Sequence, residues 1–265
     1  MNHRHPPRLR VASLARLATT TLALILLPLH SGHAGSLQVA PILLEFGHAQ
    51  ASQTLWLTNS GTEPLRAQIR VQHWTQDEGR ESLQPSNTLL ASPPLVDIEA
   101  GRSQLVRLLQ ASPATQANED AFRLIVDELP GASSSASSSL HFLLRYSIPV
   151  FLLPEGATPL LERSGRREPT DASQLQGNWS VQGGSATLSL RNHGSQRIRI
   201  SQLSWAPTAG PPIDITPGLL GYVLAGRQMR WTLPVPTALP ATGTLHARLN
   251  DDPAPQALSQ VVTGR

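Results

Sequence analysis

The chain has 265 residues, with 21 basic and 18 acidic side chains, 23 prolines, 19 glycines, few aromatics and no cysteine. Every basic residue is arginine, and Arg4, Arg8, Arg10 and Arg16 stand in a first stretch of 34 residues that has no acid, so 21 − 4 = 17 basic side chains face 18 acidic ones in the remainder. The rest of the chain is therefore slightly acidic, which argues against a nucleic-acid-binding stripe; without cysteine or lysine, a disulfide framework, a thiolate metal site and a Walker phosphate loop are excluded.

The arginine-bearing start is followed by an apolar run from Leu17 to Leu29 and by the small-x-small site Gly32-His33-Ala34. Those three regions in that order predict a secretory signal peptide over residues 1–34, cleaved after Ala34. The apolar run has 13 residues, whereas a spanning helix needs about 20. No other stretch is long enough, so the expected mature chain is a soluble exported protein starting at Gly35, bacterial and periplasmic, with no membrane insertion after cleavage.

Beyond Gly35, short alternating runs recur between Gly, Pro, Asn and Ser clusters, the pattern of an all-β sandwich rather than of helices. Strands are predicted over Thr54 to Thr58, Ala67 to Trp74, Ser103 to Leu109, Phe122 to Leu129, Leu140 to Phe151, Ala186 to Arg191, Arg197 to Trp205, Gln228 to Leu233 and Gly243 to Leu249. The five tryptophans fall in or beside patterns that read as core. Two features repeat. Leu55-Trp-Leu-Thr-Asn59-Ser-Gly61 is echoed by Leu188-Ser-Leu-Arg-Asn192-His-Gly194, and Ala100-Gly101-Arg102 by Ala225-Gly226-Arg227. The repeat predicts two similar domains, 35–153 and 158–265, joined by a linker at 154–157; chance similarity between two sets of β turns is the alternative. The Ser-rich segment between Leu129 and Leu140 is expected to be a mobile loop.

Chemistry is sparse. The five histidines after residue 35 show no metal-ligand spacing, no G-x-S-x-G elbow occurs, and neither phosphate-cradling glycine motif is present. No catalytic residue, cofactor or metal is expected. A hydrolase with a scattered site finds no support, and a secreted adhesive or carbohydrate-binding module would need an exposed aromatic platform.

Two features stand out. In Leu140 to Phe151, the side chains Leu140, Phe142, Leu144, Tyr146 and Ile148 line one face. That face either packs on the chain's own core or is offered to a partner, and Pro149, lacking an N–H, suits a sheet edge. Arg123 interrupts the apolar run Phe122 to Leu129. It either lies at the surface, pairs internally with Asp127 or Glu128, or faces a cleft to hold a ligand carboxylate.

The segments Leu55 to Gly61, Gln68 to Trp74, Ser92 to Leu95, Ile98 to Arg102, Leu105 to Leu108, Phe122 to Pro130 and Arg145 to Phe151 together resemble the periplasmic chaperones of the chaperone–usher pilus pathway, in the family's order. The resemblance implies a non-enzymatic protein of two immunoglobulin-like β-sandwich domains in a boomerang arrangement. Its partners would be pilus subunits, captured by donor-strand complementation, and an outer-membrane usher. It implies a donor strand at 140–151 with Leu140, Phe142, Leu144 and Tyr146 entering the subunit. The better-known branch anchors the subunit's terminal carboxylate on two basic residues, but the matching positions here are Leu43 and Pro149. The wording instead resembles the archaic branch, which implies Arg123 as anchor and Arg145 as helper. A family charge cluster between the domains maps by resemblance to Arg107, Glu128 and Asp251, with Asp252 as a neighbouring candidate.

Overall fold

The computed structural model describes residues 36–48, 50–111, 117–130, 142–157, 159, 169–236 and 239–264. The expected signal peptide, the Ser-rich loop and Leu140 lie outside the described residues. Residues Gly35–Arg265 form one compact unit, and no α-helix occurs among the described residues.

Ten strands come first: β1 (Leu37–Ala40), β2 (Leu44–Phe46), β3 (Ser52–Asn59), β4 (Leu65–Asp77), β5 (Arg80–Pro85), β6 (Leu89–Ser92), β7 (Leu95–Ile98), β8 (Ser103–Gln110), β9 (Asp120–Leu129) and β10 (Arg145–Leu152). They make one sheet in the order β1-β3-β8-β6 and another in the order β2-β10-β9-β4-β5, with β7 also on β4. Alternation explains the pairing of the two sheets. Leu55 and Leu57 of β3, Val106 and Leu108 of β8, Phe122, Leu124 and Val126 of β9, and Ile148, Val150 and Leu152 of β10 all turn into one shared core, while the residues between them turn to the opposite face of each sheet. Trp56, between Leu55 and Leu57, is accordingly 50% exposed, which corrects its expected place in the core.

Eight further strands follow: β11 (Leu175–Gln182), β12 (Ser185–Asn192), β13 (Ile198–Pro207), β14 (Ile213–Val223), β15 (Gln228–Pro234), β16 (Gly243–Leu249), β17 (Gln256–Ala257) and β18 (Val261–Gly264). Their sheets run β15-β12-β11-β18 and β14-β13-β16-β17. Between them lies a second core that includes Trp179 and Trp205, stacked at 6.2 Å, with Trp231 partly buried against it.

The internal repeat has a structural basis. Asn59 donates through Nδ2 to the carbonyls of Glu63 (2.8 Å) and Ile98 (2.9 Å) and accepts through Oδ1 from Gly61 N (2.9 Å). Asn192 does the same with Gln196 (2.7 Å), Val223 (3.1 Å) and Gly194 (2.8 Å). Each asparagine is fully buried, and each satisfies main-chain groups that a turn would otherwise leave unpaired. The second echo is as close: Gly101 has φ 68° and Gly226 φ 67°, a conformation open to glycine at little cost. Each turn presents the carbonyl of the next arginine to its asparagine, Arg102 to Asn59 N and Arg227 to Asn192 N, both at 2.9 Å.

Candidate functional site

The last strand of the first pair of sheets is half covered. β2 runs parallel to β10 only from Val150 to Leu152, whereas β9 pairs with it along its whole length, Arg145 to Leu152. Glu128 N donates to Leu144 O at 2.9 Å. Period two then turns the main-chain groups of Leu144, Tyr146 and Ile148 toward β9 and those of Arg145, Ser147 and Pro149 away from it. Among the described residues no strand pairs with this outward edge. Pro149 sits where its missing N–H costs no ladder bond.

The predicted donor residues are placed as follows. β10 begins at Arg145, five residues later than the expected start at Leu140, and Phe142, Leu143 and Leu144 are described but lie outside any strand. Phe142 is 67% exposed and Leu143 51%. Leu144 and Tyr146 instead pack partly against the chain's own core, and the Tyr146 hydroxyl donates to Leu37 O at 2.6 Å. Of the face read from the sequence, Leu144, Tyr146 and Ile148 belong to the core, and Phe142 is exposed beyond the start of the strand.

On the outer face of the same sheet, the register sets Gln72 of β4, Arg123 of β9 and Pro149 of β10 side by side. Trp74, two residues along β4, shares that face, and the Arg123 guanidinium lies 3.7 Å from its ring centroid, with the Tyr222 ring at 5.8 Å. Burial lowers the pKa of Arg123, with Glu81 and Tyr222 acting in the opposite direction. An arginine stays charged in such surroundings. Among the described residues no carboxylate lies within ion-pair distance of it. Arg145 differs. Its side chain and that of Arg70 both donate to Asp127. Burial works to raise the Asp127 carboxyl, but the hydrogen bonds from Arg145 and Arg70 outweigh it and hold the group below its ordinary value. Of the two arginines read from the sequence, one is committed to an internal carboxylate and the other is held by aromatic rings without an ion-pair partner among the described residues.

The expected charge cluster is not brought together. Arg107 is exposed on β8, opposite Thr54 and Ser92, because Val106 and Leu108 take the inward positions. Glu128 stands in the other sheet and accepts from Leu144 N at 3.3 Å. Asp251 is exposed and pairs with Arg199 of the neighbouring strand β13, while Asp252 is buried and accepts from Thr170 N at 2.9 Å. The buried ionic contact between the two sandwiches is made by other residues. Arg197, just before β13, donates to Glu45 of β2 and to Glu119, just before β9, with side chains 3%, 1% and 1% exposed. The guanidinium also lies 3.6 Å from the Phe151 ring centroid. Burial pushes the Glu119 carboxyl up to about 7, against the pull of Arg197.

Beside this contact, Trp74, Ala121, Phe151 and Leu153 pack with Tyr222 and Leu224 of the second pair of sheets. The buried Gln76 side chain fastens the two: its Nε2 donates to Tyr222 O at 2.8 Å and its Oε1 accepts from Leu224 N at 2.9 Å. Gln76 and Arg197 left no mark in a sequence reading directed at charge spacing.

Residues 36–158 match the family model described as pili and flagellar-assembly chaperone, PapD N-terminal domain. Among solved structures, a chain of the CsuC–CsuE chaperone–tip adhesion subunit pre-assembly complex, from archaic chaperone–usher Csu pili of Acinetobacter baumannii, is 26% identical, with a TM-score of 0.61 over 87% of this chain and 100% of that one. The Salmonella enterica SafA pilin–SafB chaperone complex holds a chain 17% identical, with TM-score 0.55 over 83% of this chain and 91% of that one. The Pseudomonas aeruginosa CupB2 chaperone is 15% identical, with TM-score 0.53 over 83% and 97%. These last two likenesses are of fold. No curated protein sequence matches the chain.

Proposed function

We propose that this chain, which belongs to the pilus-assembly chaperones of the chaperone–usher pathway, captures pilus subunits by lending them the open edge of β10 and delivers them to an outer-membrane usher. The family is one of chaperones rather than enzymes. The observation that carries the proposal is an uncovered strand edge beside a half-buried arginine with no carboxylate at ion-pair distance among the described residues. The outward main-chain groups of Arg145 and Ser147 supply hydrogen bonds for an incoming strand, and the apolar side chains leading into β10 supply its pocket contacts. Phe142, two-thirds exposed when the protein is free, gains about 1.5 to 3 kcal/mol if fully buried by a subunit. Arg123 receives the subunit's terminal carboxylate through paired hydrogen bonds, its orientation fixed by Trp74.

In this account residues 1–34 are removed on export to the periplasm, residues 35–153 hold the capture surface, and residues 158–265 form the second immunoglobulin-like domain beyond the 154–157 linker. Among the described residues no helix is long and apolar enough to cross a membrane.

The test is co-expression with a pilus subunit from the same gene cluster, reading the amount of subunit recovered with the chaperone. Arg123→Ala is expected to abolish recovery while the chaperone itself remains folded, and Arg145→Ala to leave most of it. Normal capture by the Arg123 variant removes the anchor assignment.

A further inference from the structure

The turn between β4 and β5 reaches the edge of the second pair of sheets. Arg230 N donates to Gly79 O at 3.2 Å, and Arg227 pairs with Asp77 at 2.9 Å. Between the turn and β15 lies a cleft of about 690 Å³ whose lining includes Arg80, Arg191, Arg227 and Arg230 against two carboxylates, Asp77 and Glu78.

Three features make this more than a solvated charged face. First, four guanidinium groups meet two acids, and among the described residues neither Arg191 nor Arg230 has a carboxylate partner. Second, the two unpaired arginines stand close together. On the outer face of the β12–β15 pair, Arg191 stands opposite Gln228 and Ser189 opposite Arg230, so the two arginines are diagonal neighbours, at a spacing of about 7 to 8 Å. Both are exposed, so solvent screens their repulsion in the free chain, and an anion bound between them would lower it further. The Arg191 guanidinium instead makes a 3.3 Å contact to Gln228 Oε1. Third, both walls are sheet edges: β5 ends one sheet and β15 ends another. Gly79 bridges this edge at Met229 and accepts from Arg230 N, so the β4–β5 turn closes its middle, and period two turns the main-chain groups of Thr232, beyond the bridge, to the same side.

We infer that this cleft is a docking site for an extended acidic segment of a second protein, whose carboxylates pair with Arg191 and Arg230 while its main chain bonds to β15 at Thr232, beyond the Gly79 bridge. A peptide fits these features better than other polyanions. Asp77 and Glu78 can accept from peptide N–H groups, which a phosphate chain lacks, and a strand can also use the main-chain donor and acceptor of Thr232. A flat membrane surface does not enter a cleft. Arg123 does not line the cleft, so the inference stands independently of the subunit-anchor assignment.

The probe is a dye-labelled peptide of about ten residues, the length of a long strand, alternating Glu and Thr, with a Gln-for-Glu counterpart as control. Binding to the mature full chain is followed by fluorescence anisotropy at two salt concentrations. The acidic peptide is expected to bind, the Gln peptide to bind weakly, and the Arg191→Glu, Arg230→Glu double variant to lose about tenfold or more in affinity. Arg191→Gln with Arg230→Gln is expected to lose less and to show a weaker salt dependence; it carries the same reading if circular dichroism finds the Glu variant misfolded. Arg102→Glu, an exposed charge elsewhere, leaves binding unchanged. The inference is overturned by absence of binding, by equal affinity for the Gln peptide, by indifference to both double variants, or by tighter binding of pyrophosphate or phosphatidylglycerol vesicles through the same two arginines.

Discussion

Arg197 joins the two sandwiches at a place closed to water, and replacing it with methionine tests how much that contact contributes. All three charged side chains of the bridge are at most 3% exposed. Methionine fills much of the volume and keeps the main-chain N–H that serves Glu119 Oε1, but it removes the guanidinium from Glu119 Oε2 and from Glu45, both of them buried. Breaking a buried ion pair from one side costs about 3 to 5 kcal/mol, and loss of the stacked cation over Phe151 adds to it. With a urea slope of about 2.5 kcal/mol per M, the midpoint is expected to fall by roughly 1 to 2 M. The assay is urea unfolding at pH 7 followed by tryptophan fluorescence, with Glu119→Gln as the companion variant. The sign with pH is also fixed. Because Glu119 is raised from 4.5 to about 7 in the folded chain, its contribution is fully present below pH 4.5 and is lost as the pH rises through about 7. The deficit of Arg197→Met therefore shrinks as carboxyls are protonated. A deficit below about 1 kcal/mol, the level of an exposed pair, and unchanged between pH 5 and pH 8, refutes the reasoning.

Asn59→Ala and Asn192→Ala each remove two donated bonds and one accepted bond from a buried turn, so both are expected to cost about 2 kcal/mol or more in thermal or urea unfolding; a large cost at one and none at the other would break the equivalence of the repeats. Gln76→Ala leaves Tyr222 O and Leu224 N without their partner, an expected loss of about 1 to 3 kcal/mol, with relative motion of the two sandwiches visible in NMR relaxation. Phe142→Asp puts a charge where the account places an apolar anchor; subunit recovery is expected to fall steeply with the melting temperature unchanged, and unchanged recovery excludes Phe142 from the contact.

Strands with one buried face were legible from alternation, as β3, β4, β8 and β12 illustrate, and the Asn-x-Gly and Ala-Gly-Arg echoes marked turns that the structure builds with the same hydrogen bonds. The strands that escaped were of other kinds. β5 is exposed or half-exposed along its whole length, so it has no apolar period to detect, and β2 has only three residues, all buried. Half of β10 was read correctly as an edge from Pro149, while its start was drawn too early because Phe142 continues the apolar alternation beyond the last ladder bond. Arg123 was conspicuous as a charge in an apolar run. The Arg197 bridge was not, since its partners lie 152 and 78 residues away and each is an ordinary charged residue in its own neighbourhood. Glu45 between Leu44 and Phe46 offered the one local sign, an acid within a short apolar strand. Charge mapped by resemblance onto Arg107 and Asp251 failed because outward parity on β8 and a nearer partner, Arg199, decided where those side chains went.

The central claim is that the uncovered edge of β10 becomes the neighbour of a subunit strand. Amide hydrogen exchange on the purified chaperone and on its complex with a pilus subunit tests it residue by residue. The N–H groups of Arg145 and Ser147 are expected to exchange freely in the chaperone alone and to become strongly protected in the complex, while Tyr146 and Ile148, already paired with β9, change little. Free exchange of Arg145 and Ser147 in a stoichiometric complex would contradict donor-strand capture by this edge.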